Sequence, residues 1–507
     1  MSPEASPSHR HFAEGDRLFQ LEQYDDALRA YEEGLTFDPD SVEGRYGLAR
    51  VYYAVGLLSK ALGMLAQLLD RHPAHEAALL LQGGILLENR HPAETLIVTR
   101  KLLKKNPKNI DALRLDARAA SAVGHIDQAR RDLARIVQID PAQHRAYLDL
   151  ADLSADSGDY EAAHDWLVKA FELNPDDYHT RVGLGWVTGE LGRTDEAVTH
   201  LHAAARLRPD KVEPTLELAH LRDRAGELEA AVKLYRDVLR RDPSLVNARL
   251  SLAECLTDLD RFDAAESQYK LLIAQKDDEA VYHAGLGQVY DLMGKGAPAE
   301  ASLRRAAELA PDDADILCEL AGFYQRAGRS DDAERAYRKA LTTGDDYAPA
   351  HNGLGMLYHG QGKLTEAATE YATASRLEPS SDWPHFNLGL VFEESGDLAK
   401  AESCFRRVVK LVPDDVEARL CLGNVLRDQS RYDEALAEFE QAAAADPKSP
   451  IPHAELCLFY HECLHDPARA REHGLRFLSL GGKDPEVEDL LKSIDNGFTK
   501  PGESSED

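Results

Sequence analysis

The sequence is poor in the features that mark membrane, secreted and β-rich proteins. Its 507 residues contain no apolar run of about 18 or more, the length that a bilayer-spanning helix requires. The opening residues Met1–Ser8 carry neither a cationic lead nor an apolar stretch, so we expect no secretory signal. Aromatic residues make up only 7% of the chain and alanine is abundant, which favours helix over sheet.

Cysteine is scarce as well. The six cysteines are scattered through the second half of the chain without any Cys-x-x-Cys spacing. This usage is typical of reduced thiols, so we expect a cytoplasmic protein. Alanine, arginine and aspartate are favoured over lysine, which is typical of bacteria with GC-rich genomes.

Positive charge is also in short supply. There are 59 Lys and Arg against 89 Asp and Glu, which gives a net charge of −30. Duplex nucleic acid and anionic membranes repel such a chain, so we expect neither as the main partner. The excess of negative charge favours a basic partner. The hydrophobic content of 43% is typical of a folded protein.

A repeat is the strongest positive signal. Prolines recur at spacings of 34 or 68 residues, and they are Pro39, Pro73, Pro107, Pro141, Pro175, Pro209, Pro243, Pro311, Pro379, Pro413 and Pro447. The skipped positions hold Asp277 and Asp345, and the next step reaches Gly481. Fourteen units of 34 residues therefore cover 8–483, with each of these residues at position 32 of its unit.

Small residues recur inside each unit. Position 8 is small in all fourteen units, position 20 is alanine in twelve, and position 15 is glycine in nine. Two antiparallel helices that touch through positions 8 and 20 explain this pattern. Glycine at position 15 suits the left-handed residue that ends the first helix, and the Asp-Pro or Asn-Pro step ends the second.

These units resemble the tetratricopeptide repeat family. The resemblance implies an all-α fold, a right-handed α-solenoid of about fourteen 34-residue helix-turn-helix repeats with a C-terminal capping helix. We expect disorder at 1–7, repeats over 8–483, the capping helix at 484–496 and a disordered acidic tail at 497–507. The third unit departs from the pattern at Gln82, Thr95 and Thr99, and the fourteenth at Leu464, Arg469 and His473.

No conventional catalytic domain fits beside the repeats, so we expect no enzyme and no cofactor. The glycines between Gly287 and Gly296 fall largely on repeat positions and lack phosphate-loop spacing. One metal hypothesis stays open, because four potential zinc ligands lie close in sequence: Cys457, His461, Cys463 and His465. Cys457 occupies the small-residue position 8, which argues for a structural role instead.

The resemblance also implies a groove lined by positions 2, 5, 6, 9, 12 and 13 of the first helices. In units seven to fourteen, fourteen acidic residues fall there: Glu213, Glu217, Asp223, Glu254, Asp258, Asp291, Asp315, Glu319, Glu393, Glu394, Glu417, Asp428, Glu455 and Glu462. The basic residues there are Arg224, Arg326 and Arg427. A wall of one sign speeds the capture of a ligand of the opposite sign. An ordinary solvated acidic face is the alternative.

Units eleven to thirteen add a mixed cluster of amides and apolar side chains. Asn352, Asn387 and Asn424 can pair with the backbone of an extended peptide. The full predicted partner-binding set is Asn352, Met356, His359, Trp383, Phe386, Asn387, Leu390, Glu393, Glu394, Asn424, Arg427 and Asp428. The basic residues with which clamps of this family hold a C-terminal carboxylate are missing.

The leading hypothesis is a non-enzymatic scaffold that binds a basic or amphipathic segment of a partner protein. A self-assembling structural protein and, less favoured, a metal- or redox-responsive regulator stay open. Two further surfaces are candidates for binding, the first for a second partner or self-association and the second for an acidic segment or RNA. One is an aromatic patch of Phe12, Phe19, Tyr46 and Tyr53, and the other is a basic island of Arg100, Lys101, Lys104, Lys105, Lys108, Arg114 and Arg118.

Overall fold

A computed structural model describes residues 6–343 and 346–498, with only the backbone of Thr343 and of residues 496–498. Every regular element in these ranges is an α-helix. None of these helices is long and apolar enough to cross a membrane. The chain divides into two units, Met1–Ala248 and Arg249–Asp507. The expected turn residue Asp345 and the segments 1–5 and 499–507 lie outside the described residues.

Over the described residues 6–241, the first unit contains fourteen helices in seven consecutive pairs. They are α1 Pro7–Gln20, α2 Tyr24–Phe37, α3 Val42–Ala54, α4 Leu58–Arg71, α5 Glu76–Glu88, α6 Pro92–Lys105, α7 Ile110–Ala122, α8 Ile126–Ile139, α9 His144–Asp156, α10 Tyr160–Leu173, α11 Tyr178–Glu190, α12 Thr194–Leu207, α13 Glu213–Arg224 and α14 Leu228–Arg241. The boundary between the units falls within α15 Val246–Asp258.

The second unit continues the same alternation. Its helices are α16 Phe262–Gln275, α17 Ala280–Leu292, α18 Gly296–Leu309, α19 Ala314–Arg326, α20 Ser330–Thr343, α21 Ala348–Gly360, α22 Leu364–Leu377, α23 Asp382–Glu394, α24 Leu398–Leu411, α25 Val416–Asp428, α26 Tyr432–Ala445, α27 Ile451–Glu462, α28 Pro467–Ser479 and α29 Pro485–Phe498. Odd-numbered helices up to α27 are the first helices of their repeats, and even-numbered helices are the second.

The turn inside each repeat requires one left-handed residue. All nine glycines at position 15 have positive φ, for example Gly56 at 77°. In four other repeats a non-glycine residue adopts this conformation, as Glu22 does at 60°. In the fourteenth repeat the left-handed residue is His465 instead of Leu464, so the register there is shifted by one. The predicted helix ends are thereby confirmed, since glycine takes this conformation at little cost.

The helix pairs close on the small residues. A Cβ added to Gly355 would lie 2.7 Å from the ring of Tyr371, and one added to Gly423 would lie 2.5 Å from Phe439. Ala333 and the rings of Tyr371 and Phe439 are essentially buried. A larger residue at position 8 of these two repeats would therefore collide with the aromatic side chain at position 24.

Position 4 carries a contact that the sequence pattern did not reveal. There an arginine reaches back six residues and donates to the carbonyl at the end of the preceding repeat, as in Arg45 to Pro39 (2.9 Å) and Arg419 to Pro413 (2.9 Å). Arg419 also donates to Glu438 on the second helix of its own repeat at 2.7 Å. These side chains tie successive repeats together at the loops.

The two ends of the described chain have defined helix starts and packing. The hydroxyl of Ser6 accepts a hydrogen bond from the backbone N–H of His9, so α1 begins at Pro7, inside the segment expected to be disordered. At the other end, Val487, Leu491 and Ile494 of α29 are buried, and Leu491 packs with Cys457. Helix α29 thus covers the last repeat and ends two residues beyond the expected boundary at 496.

Candidate functional site

The candidate site is the face formed by the first helices of the second unit, which we call the first-helix face. Successive first helices contact each other directly: α17 contacts α19, α19 contacts α21, and α21 contacts α23. Among the described residues, no two successive second helices come as close. The stack of repeats within the unit therefore curves toward the first helices, and side chains on this face converge.

An amide pair joins α21 to α23 at the centre of this face. The Nδ2 of Asn387 donates to the Oδ1 of Asn352 at 3.3 Å, and the Nδ2 of Asn352 lies 3.9 Å from the sulfur of Met356. Met356 is 48% exposed and Trp383 is 67% exposed. The face thus presents two large apolar side chains to solvent beside amide groups, the composition of a protein-binding hot spot.

Three other residues of the predicted cluster lie deeper. Phe386 packs edge-on against the buried ring of Phe405, with centroids 5.7 Å apart, and Leu390 packs against the same core. These two side chains stabilise the repeat and are not free anchors. Asn424 is half-buried, and its Oδ1 is a buried acceptor without a hydrogen-bond partner in the described chain.

Charged residues on neighbouring helices pair at the ends of the predicted cluster. The Nε2 of His359 on α21 lies 2.8 Å from a carboxylate oxygen of Glu394 on α23. Arg427 on α25 donates from Nε to its neighbour Asp428 at 3.1 Å. Four residues of the predicted set are therefore engaged with one another, and the cation of Arg427 is already paired.

Two carboxylates on this face have no cation of their own. Neither Glu393 nor Glu455 forms an ion pair within the described part of the chain. Burial raises the pKa of Glu393, the nearby charge of Asp428 raises it further, and Arg427 opposes both effects. Burial likewise raises the pKa of Glu455. The surroundings of both carboxyl groups disfavour the charged form. An incoming cation would stabilise that charged form.

A cavity of about 210 Å³ opens on the same face between α17 and α19. Its walls include Asp291, Glu319 and Arg326. Arg326 bridges to Asp291 at 2.6 Å, whereas burial and the charge of Asp315 raise the pKa of Glu319. Carboxylates whose pKa is raised by burial therefore occur on α19, α23 and α27 of the first-helix face.

Comparisons with known protein families agree with this architecture. Models described as Tetratricopeptide repeat match residues 18–85, 120–183, 190–244, 224–289, 284–346 and 386–450, and a model described as TPR repeat matches residues 355–396. Together these matches cover well over half of the chain. The chain belongs to the tetratricopeptide repeat family. Membership supports a general role in protein–protein interaction.

One curated relative is DnaJ homolog subfamily C member 3 of Rattus norvegicus, 28% identical over 144 residues. The match spans 28% of this chain and 28% of that protein. Among solved tetratricopeptide repeat structures, Cut9 with Hcn1 from the APC/C hetero-tetramer is 17% identical, with 97% and 96% of the two chains covered and a TM-score of 0.44. Pseudomonas aeruginosa PilF is 24% identical, with 43% and 98% covered and a TM-score of 0.38.

The four candidate metal ligands of the last tetratricopeptide repeat do not converge. Cys457 is buried against Phe477, whereas His461 and His465 are exposed, and Cys463 packs toward the core of the preceding repeat. No group of three potential ligands occurs among the described residues. Burial also raises the pKa of the Cys457 thiol to about 11, which disfavours its reactive thiolate form.

The other predicted surfaces of the tetratricopeptide repeats differ in character. Phe12 is only 2% exposed and packs on Tyr31, and Phe19 lies beneath the guanidinium of Arg50 at 4.2 Å, so the N-terminal aromatic residues serve mainly in packing. In the basic island, Arg100, Lys101, Lys104 and Lys105 of α6 are all exposed, and Lys105 donates to the carbonyl of Ala74 at 3.1 Å.

Proposed function

We propose that this protein is a non-enzymatic scaffold whose first-helix face in the second unit binds an extended, cationic segment of a partner protein. The observation that carries the proposal is the pair Glu393 and Glu455, two half-buried carboxylates that form no ion pair in the described part of the chain, each with a raised pKa. A lysine or arginine of the partner supplies the missing charge. Such complementarity gives specificity and fast association.

The middle of the face supplies the remaining contacts. Trp383 and Met356 offer exposed apolar area, and the amides of Asn352 and Asn387 offer hydrogen bonds to a peptide backbone. Asn424 adds a buried oxygen that lacks a donor, which a backbone or side-chain N–H of the partner satisfies. An amphipathic segment with alternating basic and apolar residues fits this arrangement. Cys318, Cys404, Cys421, Cys457 and Cys463 are free thiols, which supports a reducing compartment such as the cytoplasm.

The test is a selection from a random peptide library on the full chain. We expect enrichment of sequences that combine lysine or arginine with aromatic or aliphatic residues. Charge reversal by Glu393→Lys with Asp428→Lys should weaken a selected peptide at least tenfold and flatten the salt dependence of its affinity. Glu366→Lys is the matched control, since Glu366 is exposed on the second helix α22. Unchanged affinity in the double variant, or enrichment of acidic peptides, contradicts the proposal.

A further inference from the structure

The last repeat differs from the eleventh and thirteenth repeats in a side-chain contact between its two helices. In those two repeats a basic residue at position 4 of the first helix pairs with a glutamate at position 23 of the second helix. Arg419 donates to Glu438 at 2.7 Å, and the Nδ1 of His351 lies 2.6 Å from a carboxylate oxygen of Glu370. A carboxylate therefore balances the basic side chain at this contact.

The equivalent residues of the fourteenth repeat are two histidines. His453 stands at position 4 of α27, and His473 on α28 corresponds to position 23 because the register is shifted by one at His465. Their Nδ1 atoms are 3.1 Å apart, and the rings stack with centroids 5.3 Å apart. One Nδ1 donates a proton to the lone pair of the other, so at least one imidazole is neutral. The pair lacks the carboxylate that its counterparts contain.

A guanidinium group of the same helix lacks the partner that it has in other repeats. Arg476 on α28 corresponds to position 26, where Arg135 and Arg407 each donate to a proline carbonyl at the end of the preceding repeat at 2.7 Å. The side chain of Arg476 is exposed and forms neither a hydrogen bond nor an ion pair in the described part of the chain. Its donors are therefore available to a ligand.

His453, His473 and Arg476 line one cavity of about 640 Å³ along α28. The other residues of its walls are Ala468, Arg471, Glu472, Leu475 and Ser479. Arg471 already pairs with Asp495 on α29 at 2.5 Å. The cavity lies outside the first-helix face, because its walls come from a second helix and from position 4 of α27. Its volume is in the range of small-molecule binding sites.

The charges around the cavity favour an anion. Burial lowers the pKa of His453, and the nearby His473 and Arg476 lower it further. The exposed Glu472 acts in the opposite direction on His473. An anion bound among these side chains would stabilise the charged form of an imidazole and accept strong hydrogen bonds from the guanidinium group.

We propose that this cavity of the last repeat binds the phosphate group of a small ligand. A phosphate group has three acceptor oxygens and carries a charge of about −1.5 to −2 at neutral pH. These oxygens suit the forked donors of Arg476 together with the imidazole N–H groups of His453 and His473. A carboxylate, with two oxygens and one charge, leaves more of these donors without a partner.

Calorimetric titration of the full chain at low ionic strength tests the proposal with inorganic phosphate, AMP and adenosine. We expect saturable binding of phosphate and of AMP, and none of adenosine, which lacks the phosphate group. Tighter binding of AMP than of phosphate assigns the site to phosphate esters, and equal affinity assigns it to free phosphate. The proposal is overturned if neither phosphate nor AMP binds saturably, or if adenosine binds as tightly as AMP.

Single substitutions test the placement of the site. Arg476→Gln should weaken phosphate binding by about tenfold or more, because it removes charge-assisted hydrogen bonds. Glu472→Gln should strengthen binding, because it removes a repelling charge. Lys492→Gln is the matched control, since Lys492 is an exposed cation of α29 outside the cavity, and it should leave the affinity unchanged. Equal affinities of Arg476→Gln and the wild type overturn the proposal.

A double substitution closes the site without loss of the helix contact. His453→Arg with His473→Glu rebuilds in the last repeat the pair that Arg419 and Glu438 form in the thirteenth. This variant should lose phosphate binding and unfold thermally at or above the wild-type midpoint. A folded double variant that binds phosphate as the wild type does contradicts the proposal. Because Arg476 is exposed, Arg476→Gln keeps the test decisive if the double variant folds poorly.

Discussion

The side-chain amide of Asn387 donates to that of Asn352 at 3.3 Å, although the two residues are 35 positions apart in the chain. The contact couples the first helices of two successive repeats on the face where Trp383 and Met356 are exposed. It orients both amides without consuming all their donors and acceptors, because each amide offers two N–H groups and a carbonyl oxygen. The expected behaviour of this face and of the repeats around it can be measured.

Trp383→Ala should separate binding from stability. Because 67% of the side chain is exposed, its removal should change the free energy of unfolding by less than about 0.5 kcal/mol. Loss of a central aromatic contact should weaken a selected cationic peptide by about 2 kcal/mol. Trp186→Ala, which alters the first unit, is the control and should leave affinity unchanged. Calorimetric titration together with thermal unfolding gives both numbers, and equal affinity in both variants contradicts the placement of the site.

Affinity for a cationic peptide should fall as the pH is lowered through the raised pKa values of Glu393 and Glu455. These carboxylates take up protons at a higher pH than ordinary glutamates, and a protonated carboxyl group no longer attracts the peptide's cation. Glu393→Gln with Glu455→Gln should weaken binding at pH 7 and remove most of this dependence. Fluorescence anisotropy from pH 4.5 to 7.5 measures the effect, with Glu366→Gln as the variant that should retain it.

The same glutamates should lower stability slightly at neutral pH. A carboxyl group whose pKa is raised on folding favours the folded state at low pH, and this contribution is lost as the pH rises through the folded value. Glu393→Gln is therefore expected to leave the midpoint of chemical unfolding at pH 7 unchanged or to raise it. A lower midpoint at pH 7 contradicts this expectation, because it means that the charged Glu393 carboxylate stabilises the folded state.

Gly355→Leu should open one helix pair. The added Cβ would lie 2.7 Å from the buried Tyr371 ring, and overpacking of this kind costs about 1–3 kcal/mol. Damage should be confined to α21, α22 and their neighbours, because repeats contact mainly adjacent repeats. Gly360→Ala alters the same helix at a site with open space around it and should be neutral. Hydrogen exchange resolved by peptide distinguishes this local effect from cooperative loss of the whole fold.

Replacement of the left-handed residue of the first repeat by glycine should stabilise the protein. Glu22 has φ of 60°, so Glu22→Gly should stabilise the protein by about 0.5–1 kcal/mol through relief of the Cβ strain. Gly56→Ala places a Cβ at the equivalent position of the second repeat and should cost about 1 kcal/mol. Guanidinium unfolding monitored by circular dichroism compares the two variants, and a destabilised Glu22→Gly protein contradicts the role assigned to this position.

Sequence reasoning was most successful where the chemistry is local. The prolines near Asp38 and Asn106 and the glycines such as Gly56 determine helix ends through their own backbone preferences, so the period of 34 residues gives the fold. The repeat pattern also revealed the shifted register near Leu464. Sequence reasoning did not distinguish the buried Phe386 from the exposed Trp383, because both lie on a first helix and their burial depends on the side chains of the neighbouring repeat.

The sequence by itself determined the repeated helix pairs, the small residues at their contacts and the acidic bias of the first helices. Only the tertiary structure decided that Trp383 faces solvent while Phe386 packs on Phe405, and that Thr99 donates to the buried carboxylate of Asp116. The physical reason is that helix ends follow from preferences within a few residues. Burial and hydrogen bonding depend on side chains from separate helices, whose distances are set by packing.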